Sequence, residues 1–257
     1  MSGMNDFIGG RFEVIFLLIL VRYLVIAAIA FLIWYYLMKK SWFYKKIQLR
    51  FPASKDYVRE ISYSLSTALI FAVVGYVLFF TSIRSYTRFY TQVEEFGWVY
   101  FIISIIATLL IHDTYFYWSH RAMHHPAFFK LFHKVHHLSI NPSPWAAYAF
   151  HPLEAIVEAG IIVVIALIMP IHPLAIALFL LIMMVYNVYG HLGYELYPKG
   201  FQKTRIGKWI NTSLNHNQHH QFFTGNYGLY FLWWDRWMGT LRKDYDQQFD
   251  EVATRLK

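Results

Sequence analysis

The chain has no cysteine. That absence excludes disulfides, thiolate zinc sites, iron–sulfur clusters and cysteine nucleophiles together. Charge is scarce as well: Asp, Glu, Lys and Arg make up 15% of the 257 residues, against 57% hydrophobic and 20% aromatic. A soluble domain keeps roughly a quarter of its residues charged, so this chain carries more apolar surface than one globular core can hide. There is no low-complexity tract, and no internal repeat beyond a duplicated histidine box. The composition is that of a membrane protein.

The few charges lean basic, with a net +8. A nucleic-acid binder would spread Lys and Arg along a polar face. Here the densest cluster, KKSWFYKKIQLR, directly follows an apolar run. That is where cytoplasmic charge fixes membrane topology and touches anionic head groups. The expected partner is a lipid bilayer, with no nucleic acid.

Residues 12–38 are apolar apart from Glu13 and Arg22. The run exceeds the roughly 20 residues a crossing needs and is too long for a signal-peptide core. Arg22 at that depth reads as a cation that snorkels or meets a partner inside the bundle, in preference to a substrate contact. The basic loop 39–60 is placed in the cytoplasm, with an interfacial helix ended by Pro52. A second span covers 61–80, and a third, 98–118, returns to the basic face with His112, Asp113, Tyr117 and His120 at its end. Residues 154–169 and 173–189 form a helical hairpin around PIHP, each arm short for a full crossing, which fits a tilted or partly re-entrant pair. The tail, 190–257, is too polar to cross, and its LYFLWWDRWMG run suits the head-group region. The expected fold is an all-α integral membrane protein of about four transmembrane helices with a cytoplasmic His-rich helical cap. Every histidine but His172, at the hairpin tip, then falls on or near the cytoplasmic face.

The histidines carry the chemistry. Thirteen are present, and eight fall into an HxxxH (His120, His124) and two HxxHH boxes (His133, His136, His137 and His216, His219, His220). If these segments are helical, such spacings put each set on one face. Chance matches to all three templates together occur on the order of once in a thousand such chains. Catalytic zinc takes three protein ligands and an open position, so eight or nine imidazoles point to two ions. The residues inside the boxes are Arg121, Ala122, Met123, Lys134, Val135, Asn217 and Gln218. None is a carboxylate, so the general base of a zinc hydrolase is missing. Imidazole suits iron, copper and zinc alike. Neutral ligands leave the metals' charge uncompensated, which suits a pair that cycles between oxidation states. A histidine-rich metal transporter and a haem-binding membrane protein are the alternatives. The first wants ligands near the bilayer midplane, and the second uses at most four of these histidines.

The segments HDTYFYWSHRAMHH, HKVHH, PSPWAAYAFHPLE, GHLGYE and NHNQHHQFFTGNYGLYFLWWDRWMGT resemble the fatty acid hydroxylase/sterol desaturase superfamily over residues 105–240. AFHPLE and NYG…WDR…GT are similar to the branch containing C-5 sterol desaturases. Acyl-CoA desaturases carry similar boxes with the first two farther apart; here eight residues separate His124 from His133. The resemblance implies a non-haem centre of two iron ions that uses O2 to abstract hydrogen from an unactivated C–H bond of a fatty acyl, sterol or related lipid. The outcome is an alcohol or an alkene. By matching motif it implies His120, His124, His133, His136, His137, His216, His219 and His220 as metal ligands, with His191 of GHLGYE as the ninth. It also implies a catalytic domain over 99–257, preceded by an anchor region over 1–98. The site is expected on the cytoplasmic face of a bacterial inner membrane or of the endoplasmic reticulum.

Around the ligands, His112, Asp113, His151, Glu195 and Asn215 are expected to orient ligand N–H groups or line the substrate channel. His112 lies about 12 Å along a helix from His120, too far to share its ion. Glu154 and Glu158 either orient ligand N–H groups in the same way or complement a helix dipole, and Asp235 with Arg236 reads as an ion pair. Trp145, Tyr148, Phe150, Tyr186 and Tyr189 either line a lipid cavity or pack. No cytochrome b-type haem segment occurs in the sequence. Electrons are expected from a separate donor, a cytochrome b-type protein or a ferredoxin with its reductase, docking on the basic face.

Overall fold

A computed structural model describes residues 2–256, with side chains from residue 11 onward. The described residues are helical, with three isolated β-bridges and no strand. Four helices are long and apolar enough to cross a membrane. The first, α1 (Ser2–Phe31), runs on into a π-helical turn, Leu32–Leu37. It is followed by α2 (Ser54–Phe80) and α3 (Gly97–Met123). Next comes the short α4 (Pro126–Phe132), then the hairpin of α5 (Pro152–Ile168) and α6 (Pro173–Gly190), whose second arm is the fourth candidate span. Proline occupies the first turn of α4, α5 and α6, where its missing N–H costs nothing and its φ is preset. The polar tail adds α7 (Ser213–Phe222), α8 (Trp233–Trp237) and α9 (Tyr245–Ala253).

The spans pack through small residues. Ala27, Ala68, Ala72 and Ala155 are buried where α1, α2 and α5 meet, which lets the backbones approach. Tyr23 of α1 fills the remaining space, stacked on Tyr148 with ring centroids 5.4 Å apart. On the outer faces Leu18, Ile29, Val99 and Ile102 stay exposed, as lipid-facing residues must. Both α2 and α3 extend beyond the apolar stretch of their sequence. The last turns of α3 lie beyond that stretch and carry His120.

The basic loop differs from the expectation. No interfacial helix forms between α1 and Pro52; Phe43–Lys45 is a single 3-10 turn, and an extended strap follows. The strap pairs with the segment after α6: Ile47 N donates to Gly193 O at 3.0 Å, and Glu195 N to Lys45 O at 3.0 Å. Pairing turns two of the cluster's lysines inward. Lys46 is fully buried, its Nζ donating to Gly193 O at 3.2 Å and facing the rings of Tyr35, Phe51 and Tyr194 at 5.2–5.6 Å. Lys45 donates to Tyr197 O. These two residues are thus not head-group contacts, because backbone pairing fixes them against carbonyls and aromatic faces.

Candidate metal centre

Four chain segments converge at one end of the bundle. The end of α3 supplies His120 and, as its C-cap, His124. His125 caps α4 and the chain turns back, so that His133 follows α4 and His136 and His137 open a 3-10 turn, His136–Leu138. The first HxxHH is therefore a turn and not a helical face; only α7 carries its box as a helix. His191 caps the end of α6.

The nine rings sort into two clusters. His120, His124, His133, His137 and His219 form one, and His136, His191, His216 and His220 the other, the ligand atoms of each lying within 4.8 Å of one another. Each HxxHH box is shared between the clusters. All nine are buried except His124, which is half-buried. In the first cluster the Nε2–Nε2 separations are 2.9 Å for His120–His133, 3.1 Å for His124–His219 and His124–His137, and 3.0 Å for His137–His219. In the second, His191 Nε2 lies 3.3, 3.1 and 3.2 Å from those of His136, His216 and His220.

The hydrogen bonds at the opposite ring nitrogens assign the tautomers. Nδ1 of His120 donates to Tyr227 O (2.9 Å), of His219 to Gly225 O (2.8 Å), of His191 to Asn187 O (2.8 Å) and of His133 to Glu154 Oε1 (2.6 Å). In a neutral ring each of these Nε2 atoms then carries a lone pair. His120 and His133 thus aim two lone pairs at each other across 2.9 Å, a repulsive contact unless a cation lies between them. Protonation does not relieve it. Burial first, and then the charge of neighbouring imidazoles, hold His133, His136, His137, His216, His219 and His220 well below the ordinary histidine range. Burial also lowers His191 to about 4, against the opposing effect of its bond to Asn187. Imidazole nitrogens bound about 2.1 Å from one ion are roughly 3.0–3.4 Å apart. The observed separations fit, so both clusters suit a metal with nitrogen ligands.

Residues 105–240, which hold all nine histidines, match the fatty acid hydroxylase family model. The chain belongs to this family. Among its relatives, a Delta(7)-sterol 5(6)-desaturase of Gibberella zeae is 32% identical over 184 residues, covering 72% of this chain and 55% of that protein. Lathosterol oxidase of Rattus norvegicus is 31% identical over 72% of the chain and 60% of its own length. A Delta(7)-sterol 5(6)-desaturase of Aspergillus fumigatus is 33% identical over 72% and 62%. The chain therefore falls in the C-5 sterol desaturase-like branch of the fatty acid hydroxylases, although it spans less than two thirds of these relatives. No solved structure matches it.

The other expected site residues surround this fatty acid hydroxylase centre without joining it. Glu195 receives the N–H groups of Tyr197 and Leu214, both at 3.0 Å, and so pins the start of α7. Asn215, buried in α7, accepts from Asn226 through its carbonyl, while its side-chain N and O have no partner among the described residues. Asp113 accepts from Tyr230 N, Phe231 N and Trp233 Nε1, tying the aromatic tail to α3. His112 meets Tyr230 Oη at 2.9 Å. His151 caps α5 by accepting from Leu153 N, and His172 caps α6.

One reading needs correction. Asp235 and Arg236 form no ion pair: Asp235 accepts from Tyr227 N, Gly228 N and Thr240, while Arg236 donates to Lys208 O. The pairing fails because Asp235 is turned inward to close the loop that presents the Tyr227 carbonyl to His120. Of the two readings of Glu154, the orienting one describes what is seen: it sits in the first turn of α5 and its carboxylate takes the Nδ1–H of His133. A carboxylate at the start of a helix that leaves the histidine region was the available signal. The carbonyls of Asn187, Gly225 and Tyr227 left no signal in the side-chain sequence.

Beside the clusters, between α1, α2, α3, α5 and α6, lies an apolar cavity of about 450 Å³. Two of its lining rings reach the histidines: Phe116 lies 4.9 Å from His120 and Phe150 5.2 Å from His136, centroid to centroid. Its wall also includes Leu18 of α1 and Leu181 of α6, both exposed on the outer faces of their helices. Of the five candidate aromatics, Tyr148 and Phe150 line this cavity. Trp145, Tyr186 and Tyr189 pack against the core cluster.

Proposed function

We propose that the chain is an O2-dependent hydroxylase or desaturase of a membrane lipid, with two non-haem iron ions held by the nine histidines. The observation that carries this reading is the pair of converging lone-pair sets beside a lipid-sized cavity that touches each set through one aromatic ring. Iron there would supply, with O2, the oxidising power to draw hydrogen from an unactivated C–H bond. The protein's part is positional. Glu154 and the carbonyls of Tyr227, Gly225 and Asn187 fix the tautomers of His133, His120, His219 and His191, so that each of these four rings offers Nε2 inward. Phe116 and Phe150 present the lipid to the clusters while keeping the wall between them apolar. Leu18 and Leu181 mark where a lipid enters from the bilayer between α1 and α6.

In this reading residues 99–257 are the catalytic unit and residues 1–98 the anchor, with α1 and α2 also closing the cavity. Met1 and Lys257, at the outer ends of the two units, lie outside the described residues. The site faces the cytoplasm, and electrons come from a separate carrier. A transporter would hold its ligands at mid-membrane depth, whereas these clusters sit at the ends of α3 and α6. Haems with paired axial histidines would take at most four of the nine rings and leave at least five unused. The test is expression in a host lacking the activity under 18O2, with mass spectrometry of the lipids. Label gained by a lipid means hydroxylation, and loss of two hydrogens without label means desaturation. No change in any lipid, in a protein shown to hold iron, overturns the proposal.

A further inference from the structure

The five-histidine cluster is bordered by a ring that leads away from it. Tyr227 packs on His124, His219 and His120, with centroids 5.1, 5.6 and 5.7 Å apart. Behind it stands Tyr117 of α3, fully buried and 6.2 Å from Tyr227. Tyr117 stacks on Trp234 of α8 at 5.8 Å, and Trp234 meets Trp118 at 5.6 Å and Trp237 at 5.5 Å. These last two indoles reach the surface, 45% and 61% exposed. Rings thus join the cluster to the outside with no step longer than 6.2 Å between centroids. Aromatic pairs roughly 4.5–7 Å apart are ordinary packing. What sets this row apart is the hydroxyl of Tyr117.

Thr240 Oγ1 donates to Asp235 Oδ1 at 2.7 Å, so its oxygen is left to accept from Tyr117 Oη at 3.0 Å. Tyr117, Thr240 and Asp235 therefore form a proton wire that ends on a buried carboxylate. Arg121 Nη1 donates to the same phenol oxygen at 3.1 Å. A phenol that loses an electron beside that cation must shed its proton, and the wire takes it. Burial raises the carboxyl of Asp235 above its ordinary range, which readies it as the acceptor. Phenols and indoles yield an electron only to a strong oxidant. The row therefore does not serve a resting cluster that awaits electrons from a donor; it responds to one already strongly oxidised.

On the iron-and-O2 reading above, we propose that Tyr117 and Trp234 relay an unused oxidising equivalent from the five-histidine cluster to the surface. When no C–H bond is in reach, one electron leaves Tyr117 for the cluster across Tyr227. The phenolic proton moves to Thr240 as Thr240 passes its own to Asp235. Trp234 then returns an electron to Tyr117, the protons retrace the wire, and the electron deficit passes to Trp118 or Trp237. There a thiol in the solvent supplies the last electron and releases its proton to water. In balance the cluster gains one electron, the thiol loses one, and every aromatic residue is restored. The relay spares the histidines, the oxidisable groups nearest the metal.

The first test needs neither iron nor lipid. Because the chain has no cysteine, Met238→Cys, beside Trp237 and exposed, can carry a covalent ruthenium–bipyridine photo-oxidant. The full-length chain is loaded with zinc, which does not change oxidation state. A flash should produce a tryptophan radical and then the absorption and paramagnetic resonance of a tyrosyl radical. Tyr117→Phe and Trp234→Phe should each lose the tyrosyl signal and keep that of tryptophan. Thr240→Val should diminish the tyrosyl yield, and Thr240→Ser should restore it. Rings that only pack give no tyrosyl radical, and that result overturns the relay. So does a signal that survives Tyr117→Phe or ignores Thr240→Val. The second test exposes the iron-loaded chain to O2 and reductant without lipid. Peptide mass spectrometry should find oxidised histidine accumulating severalfold faster in Tyr117→Phe and Trp234→Phe than in the parent; equal rates overturn the protective role. A chain that forms the radical but oxidises no lipid keeps the path and loses the oxidase reading. One that oxidises lipid without forming the radical does the reverse.

Discussion

Glu154 shows how one side chain sets the electronic state of a cluster. Its carboxylate, 2.6 Å from His133 Nδ1, fixes which nitrogen of that ring faces His120. Removing such an outer contact typically weakens metal binding roughly 10–100-fold. Glu154→Gln preserves the volume but can orient its amide N–H toward the ring, so iron affinity in a competitive chelator titration should fall within that range. An unchanged affinity would mean that packing alone orients His133. Lys46 makes a second prediction at this scale. Burial lowers its pKa from 10.5 to about 7. An unfolded chain keeps that proton up to about pH 10.5, so between these values the unfolded state binds more protons and stability from this group rises with pH. Thermal melts of Lys46→Met should lose that rise between pH 7 and 10 relative to the parent; parallel curves would count against a neutral buried lysine. The eight box histidines were legible because their spacing is a property of side chains in sequence, whereas His191 stood out only through the family resemblance. Lys46 was not, since a lysine inside a basic run looks solvated until backbone pairing turns it inward.

At the scale of elements, the two HxxHH boxes look alike in sequence and fold differently. NHNQHH is helical from Thr212, whose hydroxyl caps Asn215 N, and Glu195 adds a carboxylate at the start of α7. HKVHH follows a seven-residue helix and closes as a turn. Both deliver three rings to two clusters, so the pattern picked out rings that come together without fixing the local backbone. The hairpin was legible from its proline-flanked apolar arms. The strap was not, because its partner, Gly193 to Glu195, lies almost 150 residues away (Lys46 to Gly193 spans 147). Gly193 permits that pairing: its φ is +71°, and a Cβ there would lie 2.7 Å from Lys46 Nζ and 3.0 Å from Tyr35 Oη. Gly193→Ala should therefore cost about 1–3 kcal/mol by overpacking and left-handed strain. Because His191 is two residues away, iron in the four-histidine cluster should fall before that in the five-histidine one. Loss of one iron per chain in metal analysis, before loss of helical circular dichroism, is the expected order; simultaneous loss of both would show that the strap is not local to one cluster.

For the whole molecule, the arrangement to explain is a polar, nitrogen-rich centre at one end of an apolar bundle, with a cavity running from it toward the other end. The orientation proposed above, with the centre toward the cytoplasm, rests on Lys39, Lys40, Arg50 and Lys55 at the end of α1 and the start of α2 from which the strap leaves. The opposite end, between α2 and α3, carries Arg84, Arg88, Glu94 and Glu95, a mixed set with no net charge. The absence of cysteine makes this orientation directly measurable, because any single cysteine introduced is the only thiol in the chain. Lys130, exposed on α4, lies at the histidine end, and Ser85, exposed after α2, at the other. In intact cells a membrane-impermeant maleimide should label Ser85→Cys and not Lys130→Cys, and permeabilisation should expose the second. For an enzyme of the endoplasmic reticulum the same pair is read on sealed microsomes, with the pattern inverted because the cytoplasmic face is outward. Labelling in the opposite sense would place the histidine clusters away from any cytoplasmic electron donor, and the source of reducing equivalents would then have to lie across the membrane.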